Sequence, residues 1–177
     1  SVTVDMEEGE HTEATLAIYE KVQHERGNVG IAVQAYLRRT RDDLDRIIPA
    51  GGHVRLCKGA YAEPESIAFQ HKDEVDASFD RLAAMLMGSE GIRLAIASHD
   101  EARIALARRL GANRTEYHEY QMLYGVRSPL QRQMIAEGLN VRVYVPYGSA
   151  WYPYLTRRIA ERPANLWFFL RAAVGRT

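Results

Sequence analysis

The chain has 177 residues, a length that favours a single domain. Hydrophobic residues make up 46% of it and charged residues 26%, the ordinary composition of a globular protein, which argues against disorder and fibrous repeats. Its 23 basic and 23 acidic residues balance, so a broadly basic nucleic-acid-binding protein is disfavoured.

Short segments rich in Val, Ile, Leu and Tyr alternate with helical segments along the chain. The predicted strands are Val2–Glu7, Gly30–Leu37, His53–Cys57, Ile92–Ser98, Arg114–Gln121 and Val141–Pro146. The predicted helices are Thr12–Arg26 with Thr12 as N-cap, Asp42–Ile48, Pro64–Met87, Asp100–Gly111 with Asp100 as N-cap, Ser128–Gly138, Trp151–Glu161 and Ala164–Val174.

Strands that alternate with helices predict right-handed crossovers and a parallel sheet. An eight-stranded βα barrel usually takes about 250 residues, and this chain has six predicted strands. The pattern therefore leaves two architectures, an open doubly wound sheet or about three quarters of a (βα)8 TIM-type barrel.

Polar residues interrupt one face of most predicted strands. Because side chains alternate across a strand, Asp5, Gln34 and Arg55, and Arg142 with Tyr144, oppose apolar faces. A sheet covered on both faces would show continuous hydrophobic runs, so this pattern favours a barrel with polar groups converging at its C-terminal rim. The alternative is that each polar residue is solvated at a strand end. On the fifth strand, one face carries Tyr117, Glu119 and Gln121.

The helix predicted near the end carries a polar face. Tyr154, Arg157, Arg158 and Glu161 follow the i, i+3, i+4, i+7 spacing that usually marks an apolar stripe. One interpretation is a solvated face with an Arg–Glu pair. The other is a pair of guanidinium groups that binds a carboxylate.

Other chemistries lack their motifs. The single cysteine, Cys57, excludes an internal disulfide and a zinc site made of cysteines alone. His118-Glu119 is not followed by a histidine at position 122, which is Met122, so the zinc-protease motif is absent. The sequence predicts no metal site.

Seven segments together resemble the proline dehydrogenase family over nearly the whole chain: DMEEGEHTEATL, VQAYLRRT, VRLCKGAY, ASHD, YHEYQMLYGV, YVPYG and YLTRRIAE. The combination of VRLxKGAY with a later YLxRR helix is the specific feature. The resemblance implies a flavoenzyme on a βα barrel that oxidises L-proline to Δ1-pyrroline-5-carboxylate. Hydride passes to FAD, and the electrons pass on to a quinone.

The resemblance also implies a role for individual residues. Asp5 matches an acidic residue near substrate and flavin, followed by Met6 at the cofactor. Gln34 matches a contact to the isoalloxazine ring, and Arg55 matches the arginine beside flavin N5. The other residues that match cofactor contacts are Lys58, Gly59, Ala60, Tyr61, Ser98, His99 and Glu161.

For the substrate, the resemblance implies that Tyr144 packs on the proline ring and that Arg157 and Arg158 bind its carboxylate. The base that takes the proton of the substrate amine stays open between Tyr144, Asp5, a water molecule and deprotonation in solvent. Another barrel enzyme that binds a carboxylate or phosphate through Arg157 and Arg158, and a non-catalytic barrel fragment, are the alternatives.

The resemblance sets three further expectations. Residues 1–177 correspond to the third to eighth βα units, so the domain is expected to lack the first two. The partners are L-proline and a quinone, without nucleic acid. The expected location is cytoplasmic, with peripheral association at the inner face of the membrane left open.

Overall fold

The computed structural model describes residues 2–145, 147 and 148, which divide into two compact units with the boundary between Gln121 and Met122. The strands are β1 (Val2–Val4), β2 (Val29–Gln34), β3 (Gly52–Cys57), β4 (Ile92–Ala97), β5 (His118–Leu123) and β6 (Val141–Tyr144). The helices are α1 (Thr12–Arg26), α2 (Thr40–Ala50), α3 (Lys72–Gly88), α4 (Glu101–Gly111) and α5 (Ser128–Ala136), with a short 3-10 helix, Gly9–His11, before α1.

The strands form one sheet in which spatial order follows chain order from β1 to β6. Each pair from β1–β2 to β4–β5 is parallel. This is the arrangement that successive βα units produce, and it confirms the predicted α/β alternation with its parallel sheet. Six strands are present among the described residues, and the eight strands of a complete barrel are not tested.

The two faces of the sheet differ as the alternation predicted. One face carries buried apolar side chains such as Val33, Leu56 and Ile96, which occupy neighbouring positions on β2, β3 and β4. Helix α1 lies against β2, and α3 lies against both β3 and β4. Burial of these apolar surfaces is the main contribution to the stability of the fold.

The opposite face is the one that the sequence marked as polar. Its register places Ala32, Arg55, Ala95 and Glu119 side by side on β2, β3, β4 and β5. The long side chains on β3 and β5 are therefore separated by a small residue on β4. This spacing leaves room for contacts across β4.

The predicted start of α3 at Pro64 is wrong, because the helix begins at Lys72. Residues 64–68 form a turn in which the amides of Ile67 and Ala68 both donate to the Pro64 carbonyl. The chain then pairs with the residues after β2, where the Phe69 amide donates to the Tyr36 carbonyl at 2.8 Å. Backbone hydrogen bonds from this segment therefore go to a neighbouring loop rather than into a helix.

The start of β5 and the N-cap of α1 also differ from the prediction. The predicted strand start at Arg114 is wrong, because β5 begins at His118. The Arg114 guanidinium donates to the carbonyls of Met87 and Ser89 at the end of α3, at 2.5 and 2.9 Å. A cation at a helix C-terminus satisfies carbonyls that lack a helical partner. Thr12 is the first residue of α1 rather than its N-cap, since His11 takes that position after the 3-10 turn.

The helices predicted over Trp151–Glu161 and Ala164–Val174 lie outside the described residues. Within the part of the chain that is described, no helix combines the length and apolarity needed to cross a membrane.

Candidate functional site

Most of the residues singled out in the sequence lie at one edge of the sheet. Asp5 follows β1, Gln34 ends β2, Lys58 follows β3 and Ser98 follows β4. Because these strands are parallel, their C-terminal ends meet at the same edge, which is where βα-barrel enzymes carry their active sites.

Gln34 is buried and its amide orientation is fixed by two contacts. Its Nε2 donates to the carbonyls of Met6 and Glu7, at 2.9 and 3.0 Å. Its Oε1 is also buried but has no hydrogen-bond partner among the described residues. A buried acceptor without a donor is costly, so this oxygen suits a ligand that brings an N–H group.

Arg55 contacts Asp5 on one side and Gln121 on the other. One terminal nitrogen pairs with the Asp5 carboxylate, and Nε donates to Gln121 Oε1 at 2.7 Å. The Arg55 side chain is 17% exposed, whereas that of Asp5 is 52% exposed. The guanidinium is therefore shielded from water and held from two sides near the sheet edge.

The loop after β3 is fixed by ion pairs. Lys58 Nζ pairs with the Asp76 carboxylate of α3 and donates to Asp100 Oδ2 at 2.7 Å. Burial alone would raise the pKa of Asp76, but Lys58, Lys72 and Arg103 lower it to about 2. Burial alone would also raise the pKa of Asp100, but the contacts with Lys58 and Arg103 together lower it. Both carboxylates are thus anions at neutral pH.

Asp100 also confirms its predicted place at the start of α4. Its Oδ1 accepts from the amides of Ala102 and Arg103 at 3.0 and 3.4 Å. One carboxylate thereby caps a helix and binds Lys58. This double role joins the ends of β3 and β4.

Gly59 allows the same loop to pack closely. Its φ of +110° lies in a region that residues with a Cβ rarely adopt, and a Cβ at this position would lie 2.1 Å from Tyr36 Cδ1. The half-buried Ala60 follows, and the hydroxyl of Tyr61 donates to the Glu7 carboxylate. The loop therefore contacts the segments that follow β1 and β2.

Ser98, His99 and Asp100 connect β4 to α4. Ser98 is buried, and its Oγ accepts from the Asp100 amide at 3.1 Å. His99 is half-buried. Ser98 thus helps to shape the turn that leads into α4.

Of the predicted substrate residues, the structure describes only Tyr144. Tyr144 lies on β6 in the second unit, where its carbonyl accepts from the Tyr124 amide at 2.9 Å. Arg157, Arg158 and Glu161 lie outside the described residues.

The site also contains three residues that the sequence did not indicate as site residues. Gln121 contacts Arg55, and Glu119 contacts Gln121. The alternation of side chains along β5 had placed both on one face without indicating where that face pointed. Asp76 is buried beside Lys58. Its position three residues before the buried Phe79, on the apolar side of α3, was the available signal.

A family model for proline dehydrogenase matches residues 1–171. The chain belongs to the proline dehydrogenase family. It is 41% identical over 174 residues to proline dehydrogenase 1 of Bacillus subtilis (strain 168), which covers 97% of this chain and 57% of that protein. It is 38% identical over 178 residues to the proline dehydrogenase of Deinococcus radiodurans, covering 96% of this chain and 56% of that protein. The chain thus spans a little over half the length of these relatives.

Solved structures of proline utilization A (PutA) share the fold. The protein from Bdellovibrio bacteriovorus, inactivated by N-propargylglycine, aligns with a TM-score of 0.81 and 28% identity over 89% of this chain and 19% of that chain. A variant from Bradyrhizobium japonicum aligns with a TM-score of 0.83 and 26% identity over 97% of this chain and 20% of that chain. Membership of the family suggests a flavin cofactor.

Proposed function

We propose that this protein takes part in the first step of proline catabolism as an FAD-dependent proline dehydrogenase. L-proline would be oxidised to Δ1-pyrroline-5-carboxylate, and a quinone would receive the electrons. The support is membership of the family, together with the residues assembled at the sheet edge.

The observation that carries the proposal is the buried carbonyl oxygen of Gln34. Its amide nitrogen is already committed to the Met6 and Glu7 carbonyls, so the oxygen has a fixed direction and no donor among the described residues. The flavin ring system contains one N–H group between two carbonyls, which can supply that donor. The residue set therefore fits the cofactor that the family implies.

FAD, if bound at this edge, would supply the acceptor for the hydride that leaves the ring carbon next to the proline nitrogen on the side away from the carboxylate; the nitrogen would lose a proton as the C=N bond forms. Arg55 supplies a fixed positive charge at the site, which stabilises negative charge that develops nearby. Asp5 pairs with Arg55 at the exposed rim of the site. Lys58, with its two carboxylate partners, keeps the loop that carries Gly59, Ala60 and Tyr61 in place.

The substrate side of the proposal rests on the family resemblance. Arg157 and Arg158 would bind the carboxylate of proline, since adjacent guanidinium groups bind a carboxylate through charge-assisted hydrogen bonds. Tyr144 would pack on the proline ring. The exposed Asp5 carboxylate and Tyr144 both stay open as acceptors of the amine proton.

The experiment is to purify the protein, add FAD, and follow flavin absorbance under anaerobic conditions after L-proline is added. Bleaching of the oxidised flavin by L-proline, and not by D-proline, supports the proposal. Failure to bind FAD, or binding without reduction by proline, contradicts it.

A matched pair of glutamine variants tests the observation on Gln34. Gln34→Leu is expected to weaken FAD binding by about tenfold or more, the effect of losing one hydrogen bond in a buried site. Gln133→Leu is the control, because Gln133 is exposed on α5 and contacts Glu137. Equal FAD affinity in both variants would contradict the assigned role of Gln34.

A further inference from the structure

A chain of buried polar groups extends from Arg55 into the interior of the polar face. Arg55 Nε donates to Gln121 Oε1 at 2.7 Å, and Gln121 Nε2 donates to Glu119 Oε1, also at 2.7 Å. The hydroxyl of Tyr117 donates to the other carboxylate oxygen at 2.7 Å. His53 Nε2 lies 3.8 Å from Glu119 Oε1. These groups link β3 to β5.

The Gln121 amide can take only one orientation between its two neighbours. Its carbonyl faces the N–H of a cation, and its NH2 group faces a carboxylate. If the amide turned over, two donors would face each other on one side and two acceptors on the other. Gln121 is therefore fixed by the charges at both ends, and it fixes the direction of the Arg55 Nε–H bond in return.

Burial of these polar side chains costs free energy, which their hydrogen bonds and nearby charges must offset. Glu119 is 1% exposed and Gln121 is 6% exposed. A carboxylate removed from water needs hydrogen bonds and nearby positive charge, and a well-packed apolar group would often be as stable. On β4 the positions beside Glu119 and Gln121 are Ala95 and Ala97, whose small side chains let Gln121 reach Arg55 across that strand.

The two sides of Arg55 differ in their access to water. Asp5 is half exposed at the rim, so a ligand could compete with that contact. Gln121 is buried, and the carboxylate behind it is buried more deeply. The inner contact is thus the one that can hold the guanidinium at a constant position.

We propose that Gln121 and Glu119 are positioning residues, which hold Arg55 from the buried side of the polar face and so set the electrostatic effect of Arg55 on the flavin. This proposal rests on the proposed function for its flavin part. The part that concerns the hold on Arg55 follows from the contacts among these residues and does not need the flavin.

The test compares the reduction potential of bound FAD in four proteins: wild type, Arg55→Met, Gln121→Met, and the double variant. Each is equilibrated with a reference dye during gradual reduction. Gln121→Met is expected to shift the potential to a more negative value, in the same direction as Arg55→Met. In the Arg55→Met background it should produce no further shift, because Gln121 acts through Arg55. Turnover in Gln121→Met should fall about tenfold, with the KM for proline within about twofold.

Gln131→Met is the matched control. Gln131 is also a buried glutamine with two hydrogen bonds, but its Nε2 donates to the carbonyls of Leu123 and Val126. Its replacement should lower stability without changing the flavin potential. The proposal is overturned if Gln121→Met shifts the potential no more than Gln131→Met, or shifts it equally with and without Arg55.

A flavin-free measurement separates this proposal from the proposed function. Urea unfolding of the same four proteins without FAD gives the coupling between Arg55 and Gln121 from a double-mutant cycle. If the protein binds no FAD, the proposed function fails, and the cycle still decides whether Gln121 holds Arg55. Additive losses in that cycle overturn the positioning role. Glu119→Gln, which keeps the size of the side chain and removes its charge, replaces Gln121→Met if the latter does not fold.

Discussion

Gly59 offers the sharpest test of the site geometry, because adding one methyl group there meets two separate obstacles. The φ of +110° is unfavourable for any residue with a Cβ. The new Cβ would also lie 2.1, 2.5 and 2.6 Å from three carbon atoms of the Tyr36 ring. Gly59→Ala is therefore expected to destabilise the protein through backbone strain and through overpacking together.

The two contributions can be estimated separately. Backbone strain of this kind costs about 1–2 kcal/mol, and overpacking of a well-packed region costs about 1–3 kcal/mol. Their sum, about 2–5 kcal/mol, is a large part of the typical free energy of unfolding of about 5–15 kcal/mol. The Tyr36 ring is 7% exposed, so it has little room to move away.

Two other glycines in the chain serve as controls. Gly27 has a φ of +69° with no atom near its added Cβ, so Gly27→Ala measures strain alone. Gly88 ends α3 in an ordinary conformation with open space around it, so Gly88→Ala should be neutral or slightly stabilising. The assay is the free energy of unfolding from urea titrations of the four proteins.

The reasoning is refuted if Gly59→Ala costs no more than Gly27→Ala. A second measurement covers the case in which Gly59→Ala is too unstable to purify. In a Tyr36→Ala background the ring is absent, and the cost of Gly59→Ala should fall to about the 1–2 kcal/mol of strain alone.

Further predictions concern charged residues. Asp76→Asn should lower the free energy of unfolding at pH 7 by about 2 kcal/mol, because the pKa of Asp76 is about 2 in the folded protein against an ordinary value of 3.8. This lowered pKa contributes stability above about pH 4 that is lost towards pH 2, so the unfolding curves of variant and wild type should converge over that range; a constant difference would contradict the assignment. Arg157→Met and Arg158→Met should each raise the KM for proline by about 10- to 100-fold, and unchanged KM values in steady-state assays would end that role.

The sequence was sufficient to predict the α/β alternation and the polar face, because period-2 alternation is a local property of each strand. Asp5, Gln34 and Arg55 were identified in this way, and the structure places them at one sheet edge. Asp76 was missed because its partner Lys58 lies on another element, and the pairing depends on how α3 packs beside β3. Contacts of this kind follow from tertiary structure rather than from local spacing.

The predictions of element boundaries were wrong where contacts between residues distant in sequence determine the boundary. Pro64 is as well suited to a turn as to the first position of a helix, and only the backbone contacts of Ile67 and Phe69 with the loop after β2 show which it adopts. Arg114 stands before a β-rich segment, but its guanidinium is used by the end of α3. Neither partner is close in sequence.

The sequential order of the sheet has a consequence for how the chain folds during synthesis. Each strand from β2 to β5 pairs with the strand before it, so every new strand can join an existing edge after closing only one helical connection. The contact between Arg55 and Gln121 is different, because it skips β4. It can form only when β5 has left the ribosome, so the buried polar chain is completed only as β5 joins the sheet and brings Glu119 to its partners.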